Sequence, residues 1–263
     1  MPSAYHFLLG GADLEMATIR SLLEAHAPGR FTDKGLAWGA RVSDYRDEIT
    51  AALNRGETPV LIELADDLPA DAFDRRACVI VDHHGTRAGA DQPTSLEQVF
   101  ALLALPAEAW TRELALIAAN DKDHIRGLRA LGATGDEVRT IRAGDRRAQG
   151  VSEAEEAAAL AAIAQRQVIG RLTRVTLPHD RSTAVADLLE PDLGGPGYAD
   201  LLVEMPTKLA FFGDGATIKW LAAEAPGSWF GGALPARGFW GTVLPLGDER
   251  DRLITALITR LGD

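Results

Sequence analysis

Short apolar runs alternate with amphipathic stretches through the first half of the chain. Continuous apolar runs at 5–11 (YHFLLGG), 58–64 (TPVLIEL) and 77–84 (ACVIVDHH) are typical of strands in a parallel sheet that is covered on both faces. The stretches at 14–27 and 95–105 carry apolar residues at helical spacing. This alternation predicts an α/β fold whose N-terminal domain is a doubly wound parallel sheet.

The pattern changes in the second half. Residues 152–172 are rich in alanine and glutamate, which predicts one long helix because both are strong helix formers. After it come strand-like runs with shorter helices, and a glycine-rich and aromatic stretch at 227–242. We therefore predict an N-terminal domain of residues 1–151, a linker helix at 152–172 and a smaller α/β C-terminal domain at 173–263.

Composition narrows the classes of partner. The 263 residues are 46% hydrophobic and 25% charged, with a formal net charge of −11. Because a long DNA duplex attracts basic surfaces, we expect no long duplex nucleic acid as a partner. The single cysteine cannot form an internal disulfide, and we find no signal peptide and no apolar run long enough to span a membrane. We expect a cytoplasmic protein with no membrane partner, and a homodimer is possible.

Acidic and histidine side chains follow several of the apolar runs. In an open doubly wound sheet, ligands bind at the carboxyl ends of the strands. Carboxylates crowded there repel one another, and a divalent cation removes that conflict. Mixed oxygen and nitrogen ligands suit Mn²⁺ best, with Mg²⁺ or Zn²⁺ as alternatives. The candidates are Asp13, Glu15, Glu63, Asp66, Asp67, Asp82, His83, His84, Asp121 and Asp123.

The sequence VDHHG at 81–85 resembles the DHH phosphoesterase superfamily. That family includes single-strand exonucleases, nano-RNases, cyclic-dinucleotide phosphodiesterases and manganese-dependent pyrophosphatases. The resemblance extends in order along the chain, through GGADLEMATI (10–19), LIEL (61–64), AANDKDHI (118–125) and WFGGALPARGFWG (229–241). It implies metal-dependent hydrolysis of a phosphate ester or anhydride.

The resemblance also implies roles for individual residues. His84 would contact a substrate phosphate and Asp82 would orient the site. The implied metal ligands are Asp13, Glu15, Glu63, His83 and Asp121. The chain departs from the family where glutamates replace two aspartates, at Glu15 and Glu63, and where Gly10 and its neighbours stand in place of an early histidine.

Four further residues could contact a substrate phosphate. Arg87 could stabilise the developing charge of a reaction. Gly231, Gly232 and Arg237 could bind substrate, since glycines let backbone amides approach an anion. Arg87 and Arg237 are more often plain surface residues, and the two glycines could equally be turn residues.

Three interpretations of function stay open from the sequence. The first is a metal-dependent phosphoesterase acting on a small nucleotide-like or short oligonucleotide substrate. The second is a binding or regulatory protein that keeps the DHH fold without turnover. The third is an unrelated α/β protein in which the histidines are structural.

Overall fold

The chain folds into two compact units. The computed structural model describes residues 4–37, 39–89, 91–244 and 247–262. The N-terminal unit comprises Met1–His83 and Gln92–Asp121, and the C-terminal unit comprises His84–Asp91 and Lys122–Asp263. Within the described ranges, no helix combines the length and apolar composition needed to cross a bilayer.

The N-terminal unit is built on a four-stranded sheet in which every described pairing is parallel. Its strands are β1 (Tyr5–Leu8), β2 (Phe31–Thr32), β3 (Thr58–Ile62) and β4 (Val79–Val81). The order is β2-β1-β3-β4, so the chain moves to one side of β1 for β2 and to the other side for β3. Doubly wound sheets bind ligands at the carboxyl ends of the strands where such a reversal occurs, which here are β1 and β3.

Helices follow the strands of this sheet. They are α1 (Leu14–His26), α2 (Arg46–Asn54), α3 (Ser95–Leu102) and α4 (Arg112–Ala130). The central strands are buried, with Phe7, Leu8, Val60 and Ile62 fully inaccessible to solvent. The continuous apolar runs of β1 and β3 therefore arise because these strands are covered, whereas Ile80 of the edge strand β4 is 39% exposed. The predicted α/β fold is confirmed.

Helix α4 is interrupted near the boundary of the units. Asp123 (φ −149°, ψ 32°) and His124 (φ 53°, ψ −140°) depart from helical geometry. The N-terminal unit ends two residues earlier, at Asp121.

The C-terminal unit contains a six-stranded mixed sheet of order β5-β6-β7-β8-β10-β9. Its strands are β5 (Gln167–Ile169), β6 (Leu172–Thr176), β7 (Asp200–Glu204), β8 (Lys208–Asp214), β9 (Trp229–Gly231) and β10 (Arg237–Val243). Its further helices are α5 (Gly135–Ala148), α6 (Glu153–Ala164), α7 (Thr183–Leu189), α8 (Gly215–Glu224) and α9 (Asp248–Leu261).

Alternation along β7 gives this sheet two apolar faces, because successive side chains of a strand point to opposite sides. Leu201 and Val203 pack with residues of α6 and α7. Leu202, between them in sequence, packs with residues of α8 and α9.

The long helix predicted at 152–172 is shorter in the structure. A capping box of Ser152 and Glu155 begins α6, and the helix ends at Ala164. Residues 167–169 form β5 and pair antiparallel with β6. The reason is local, since Val168 and Ile169 favour a strand and Gly170 adopts φ +55° in the turn.

The division of the chain also differs from the predicted boundary at 151/152. Helix α5 lies inside the predicted first domain, yet it belongs to the C-terminal unit. Its Arg142 bonds Asp187 of α7, a partner 45 positions away that sequence reasoning cannot identify.

Candidate metal centre

Three carboxylates surround one ring nitrogen of a buried histidine. His83 Nε2 lies 2.6 Å from Asp121 Oδ2, 3.3 Å from Glu63 Oε1 and 3.6 Å from Glu15 Oε2. The side chains of His83 and Glu15 are 4% and 1% exposed. Four residues thus direct donor atoms at one small volume inside the N-terminal unit.

Two adjacent strands supply two of these residues. Glu63 directly follows β3, and His83 comes two residues after β4. The Glu63 N–H donates to Val81 O at 2.9 Å, which continues the parallel pairing beyond the ends of both strands. Glu63 has φ +51°, a left-handed conformation that is uncommon for residues with a side chain.

Gly10 permits the close approach of β1 to this turn. A Cβ atom at Gly10 would lie 2.7 Å from Ile62 O and 2.9 Å from Glu63 O. Both neighbours are backbone atoms, so the clash could not be relieved by a side-chain rotation. A glycine after β1 is therefore needed to keep the backbone of Glu63 where it is.

Helices supply the other two residues. Glu15 lies in the first turn of α1, and Asp121 lies just before the interruption in α4. Asp13 is the N-cap of α1, where its Oδ1 accepts the Met16 N–H at 2.7 Å. Because Asp13 Oδ1 is used in this cap, a role for Asp13 as a metal ligand stays a prediction.

Helix α3 contributes two contacts that the sequence did not reveal. Ser95 Oγ donates to Glu63 Oε1 at 2.7 Å, and the Leu96 N–H donates to Glu15 Oε1 at 3.0 Å. From the sequence, Ser95 was not among the predicted site residues. A backbone N–H leaves no trace in residue identity, so the contact to Glu15 could not have been found.

The electrostatics of the cluster reflect an excess of negative charge. Burial, followed by the neighbouring Asp121, raises the pKa of Glu15 to about 8. Burial alone would lower the pKa of His83, but Asp121, Glu15 and Glu63 outweigh it and raise that pKa far above its ordinary value. A protonated His83 therefore neutralises only part of the charge that three carboxylates would carry.

A divalent cation fits this donor set. A histidine Nε2 carries at most one hydrogen and cannot satisfy three oxygens that approach it together. Among the described residues, the buried Glu15 Oε2 and Asp121 Oδ2 accept no hydrogen bond of normal geometry. Carboxylate oxygens with one imidazole suit Mn²⁺, Mg²⁺ or Zn²⁺, so the residues present match the predicted metal.

The carboxylates of Asp66 and Asp67 have other partners, whereas the contact described for Asp82 is through its backbone. Asp66 Oδ1 and Oδ2 accept hydrogen bonds from Arg75 at 2.9 and 3.0 Å. Asp67 accepts from both the backbone and the hydroxyl of Ser43. The backbone carbonyl of Asp82 accepts from Gln98 at 3.2 Å. Position after a strand therefore does not by itself separate ligands from acids that fix loops.

Two of the predicted catalytic residues belong to the C-terminal unit. The imidazole of His84 packs edge-on against Phe239, with ring centroids 5.9 Å apart. Arg87 is exposed at the end of the short helical turn Gly85–Arg87. Their catalytic roles stay predictions.

The glycines predicted to bind substrate have structural reasons of their own. A Cβ at Gly231 would lie 2.8 Å from the Phe239 ring and 2.9 Å from His84 Cδ2. One at Gly232, which has φ +101°, would lie 2.6 Å from Gly238 Cα. These close approaches explain both glycines without a phosphate.

Arg237 also has a structural partner. Its guanidinium donates to Ala199 O at 2.6 Å and lies over the Tyr198 ring, 5.4 Å from the centroid. These contacts give Arg237 a structural role in the C-terminal unit, which differs from the surface arginine left open by the sequence, and its role in substrate binding stays a prediction.

No protein-family model and no curated protein matches the chain. Among solved structures, RecJ of Thermus thermophilus in complex with Mn²⁺ is 14% identical, with a TM-score of 0.53 over 98% of this chain and 52% of RecJ. This chain thus spans about half the length of that RecJ. A second RecJ, an exonuclease bound to manganese, is 13% identical with a TM-score of 0.44 over 97% of this chain and 90% of its own.

A third similar structure is the pGpG-specific phosphodiesterase PggH of Vibrio cholerae. It is 13% identical over 97% of this chain and 98% of PggH. Its TM-score of 0.37 does not establish a shared fold. The similarity of fold rests on the Thermus RecJ structure. This similarity is consistent with the parallel sheet and with the DHH sequence at the end of β4. The chain therefore shares the fold of the Thermus RecJ, in a divergent sequence.

Proposed function

We propose that this protein is a metal-dependent phosphoesterase that hydrolyses a phosphate ester or anhydride in a small nucleotide-like or short oligonucleotide substrate. The observation that carries the proposal is the convergence of Glu15, Glu63 and Asp121 on His83 Nε2. This convergence occurs at the edge of the parallel sheet where the fold places ligands.

The four residues would hold the cation. A bound divalent ion supplies Lewis-acid activation of a water molecule and of a phosphoryl oxygen. His83 would bind it as the neutral imidazole, so His83 must release the proton that the metal-free site favours. Glu15 must ionise as well, because its pKa is raised in the metal-free protein.

Manganese is the metal we propose. The donor set is rich in oxygen with one nitrogen, which suits Mn²⁺, and the Thermus RecJ structure is of a complex with Mn²⁺. Mg²⁺ and Zn²⁺ are the alternatives to test beside it.

A short substrate is proposed because the chain carries a net charge of −11, which opposes binding of a long polyanion. Within this proposal Asp82, His84 and Arg87 are the candidate catalytic residues, and Gly231, Gly232 and Arg237 are candidates for substrate binding. The contacts of Arg237 with Ala199 and Tyr198 favour His84 and Arg87 as the first of these to test.

One observation favours a binding or regulatory protein as the second candidate. Two-metal phosphoesterases need a second set of ligands, and in this chain Asp13 Oδ1 is used to cap α1. A single cation held by the His83 cluster could bind a phosphorylated ligand without turnover.

The test is a metal analysis of the purified protein, followed by a screen of nucleotides, dinucleotides, short oligonucleotides and pyrophosphate at millimolar Mn²⁺. We expect turnover of at least one of these, lost in His83→Ala and kept in His26→Ala, a control at the exposed end of α1. Metal binding without turnover of any substrate would favour the binding protein. Equal activity in wild type and His83→Ala would contradict the proposed site.

A further inference from the structure

We propose that Ser95 is a positioning residue of the metal centre, which holds Glu63 in place while the adjacent Leu96 N–H holds Glu15. The inference rests on the proposed function, because it concerns the affinity of the same site for its cation. Ser95 is not proposed as a ligand itself; its hydroxyl acts through the Glu63 carboxylate.

The Ser95 hydroxyl contacts the Glu63 oxygen that lies near His83. Ser95 is fully buried, and its hydroxyl donates to Glu63 Oε1 at 2.7 Å. The same oxygen lies 3.3 Å from His83 Nε2. The single hydroxyl hydrogen of Ser95 therefore fixes the direction from which Glu63 presents its oxygen to the cation.

The second contact gives the two oxygens of the Glu15 carboxylate different partners. Glu15 Oε1 accepts the Leu96 N–H at 3.0 Å, whereas Glu15 Oε2 lies 3.6 Å from His83 Nε2. One oxygen is anchored and the other faces the centre.

The local sequence TSLE explains why these donors are available. Thr94 and Glu97 form a capping box, in which Glu97 Oε2 accepts the Thr94 N–H at 2.7 Å and Thr94 Oγ1 accepts the Glu97 N–H at 3.3 Å. The cap is complete without Ser95. The hydroxyl of Ser95 and the N–H of Leu96 are thereby left to bind the two glutamates.

A glutamate needs such support more than an aspartate does. Its longer side chain has more rotamers, and fixing them costs conformational entropy. Outer partners that orient ligands typically contribute about 10- to 100-fold in metal affinity. We expect a loss of that size when the Ser95 hydroxyl is removed.

The test compares Ser95→Ala with Thr94→Ala in the full chain, using Mn²⁺ calorimetry and the electron paramagnetic resonance signal of bound Mn²⁺. Ser95→Ala should bind Mn²⁺ about 10- to 100-fold more weakly with a changed spectrum, and Ser95→Thr, which keeps the hydroxyl, should recover affinity. Thr94→Ala loses the capping box, so its Tm should fall. Its Mn²⁺ affinity should fall less than that of Ser95→Ala. In Ser95→Ala, excess Mn²⁺ should restore kcat.

The outcomes separate this inference from the proposed function. If wild type binds no Mn²⁺, the proposed function itself fails. If wild type binds Mn²⁺ and folded Ser95→Ala binds it equally well with the same spectrum, only the positioning role is overturned. Loss of affinity in Thr94→Ala equal to that in Ser95→Ala would also overturn it, since the helix start as a whole would then be responsible.

Discussion

Each unit of the protein buries a cluster of charged side chains, and the two clusters differ in their cations. In the N-terminal unit, Glu15, Glu63 and Asp121 face a single histidine. In the C-terminal unit, Arg142 binds both Asp187 and Asp145 at 2.8 Å, and Arg146 and His124 also pair with Asp187.

The pKa values of the acids follow that difference. Burial would raise the pKa of Asp187, but Arg142 and His124 hold it well below its ordinary value. Burial and Asp121 together raise the pKa of Glu15 to about 8. A buried acid that is paired with arginines has its charge balanced within the protein. Buried acids that outnumber their cationic partners instead match a site for a metal ion.

The largest effect on stability should come from removing a cation from the C-terminal cluster, whose charges are already balanced. Arg142→Met leaves Asp187 and Asp145 buried with less positive charge, and removing one partner of a buried pair costs about 3–5 kcal/mol. Urea unfolding should show this loss, whereas Mn²⁺ affinity should stay unchanged. A large loss of Mn²⁺ affinity in folded Arg142→Met would break the distinction between the two clusters.

Metal binding at the N-terminal cluster, where acids outnumber cations, should stabilise the folded protein. Mn²⁺ at 100 times its Kd should raise the free energy of unfolding by about 2.7 kcal/mol if it binds only the folded state. Thermal unfolding with and without Mn²⁺ measures this, with His83→Ala as the variant that should lose the shift. An equal rise of Tm in His83→Ala would place the ion elsewhere.

Gly10→Ala tests the backbone that carries Glu63. Its Cβ would meet Ile62 O and Glu63 O, and overpacking of this kind costs about 1–3 kcal/mol. We expect lower stability and weaker Mn²⁺ binding. Gly241→Ala, which would crowd Trp229 in the C-terminal unit, is the matched control and should lower stability alone.

Per pH unit, the smallest effect is a dependence on pH, in which the stability of the metal-free protein falls while its affinity for Mn²⁺ rises. Folded Glu15 keeps its proton up to about pH 8, against 4.5 for its ordinary value. Without metal, stability should therefore fall as pH rises through this window, because the unfolded chain has already released the proton. Mn²⁺ affinity should rise there by up to about tenfold per pH unit for each proton displaced, as calorimetry at pH 6, 7 and 8 would show. Affinity independent of pH would contradict a protonated Glu15.

The sequence predicted the part of the site that follows from strand order. Acids and a histidine after continuous apolar runs meet at one edge of a parallel sheet, and the structure brings Glu15, Glu63, His83 and Asp121 together there. Their role as ligands stays a prediction. Asp66 and Asp67 occupy similar positions along the chain, yet their partners are Arg75 and Ser43, which only the folded loop brings near.

Other features depend on contacts that residue identity does not encode. The anchoring of Glu15 by a backbone N–H of α3 is one of these features. The pairing of Arg142 with Asp187 across 45 positions is another, and it explains why α5 joins the C-terminal unit. The end of α6 at Ala164 was open to prediction, because Val168 and Ile169 favour a strand.

The most direct test of a cation site at His83 is calorimetric titration of the metal-free protein with Mn²⁺ at pH 8. We expect saturable binding in wild type and in the His26→Ala control, and its loss in His83→Ala with the fold intact. Absence of binding in wild type, or equal binding in His83→Ala, would contradict it.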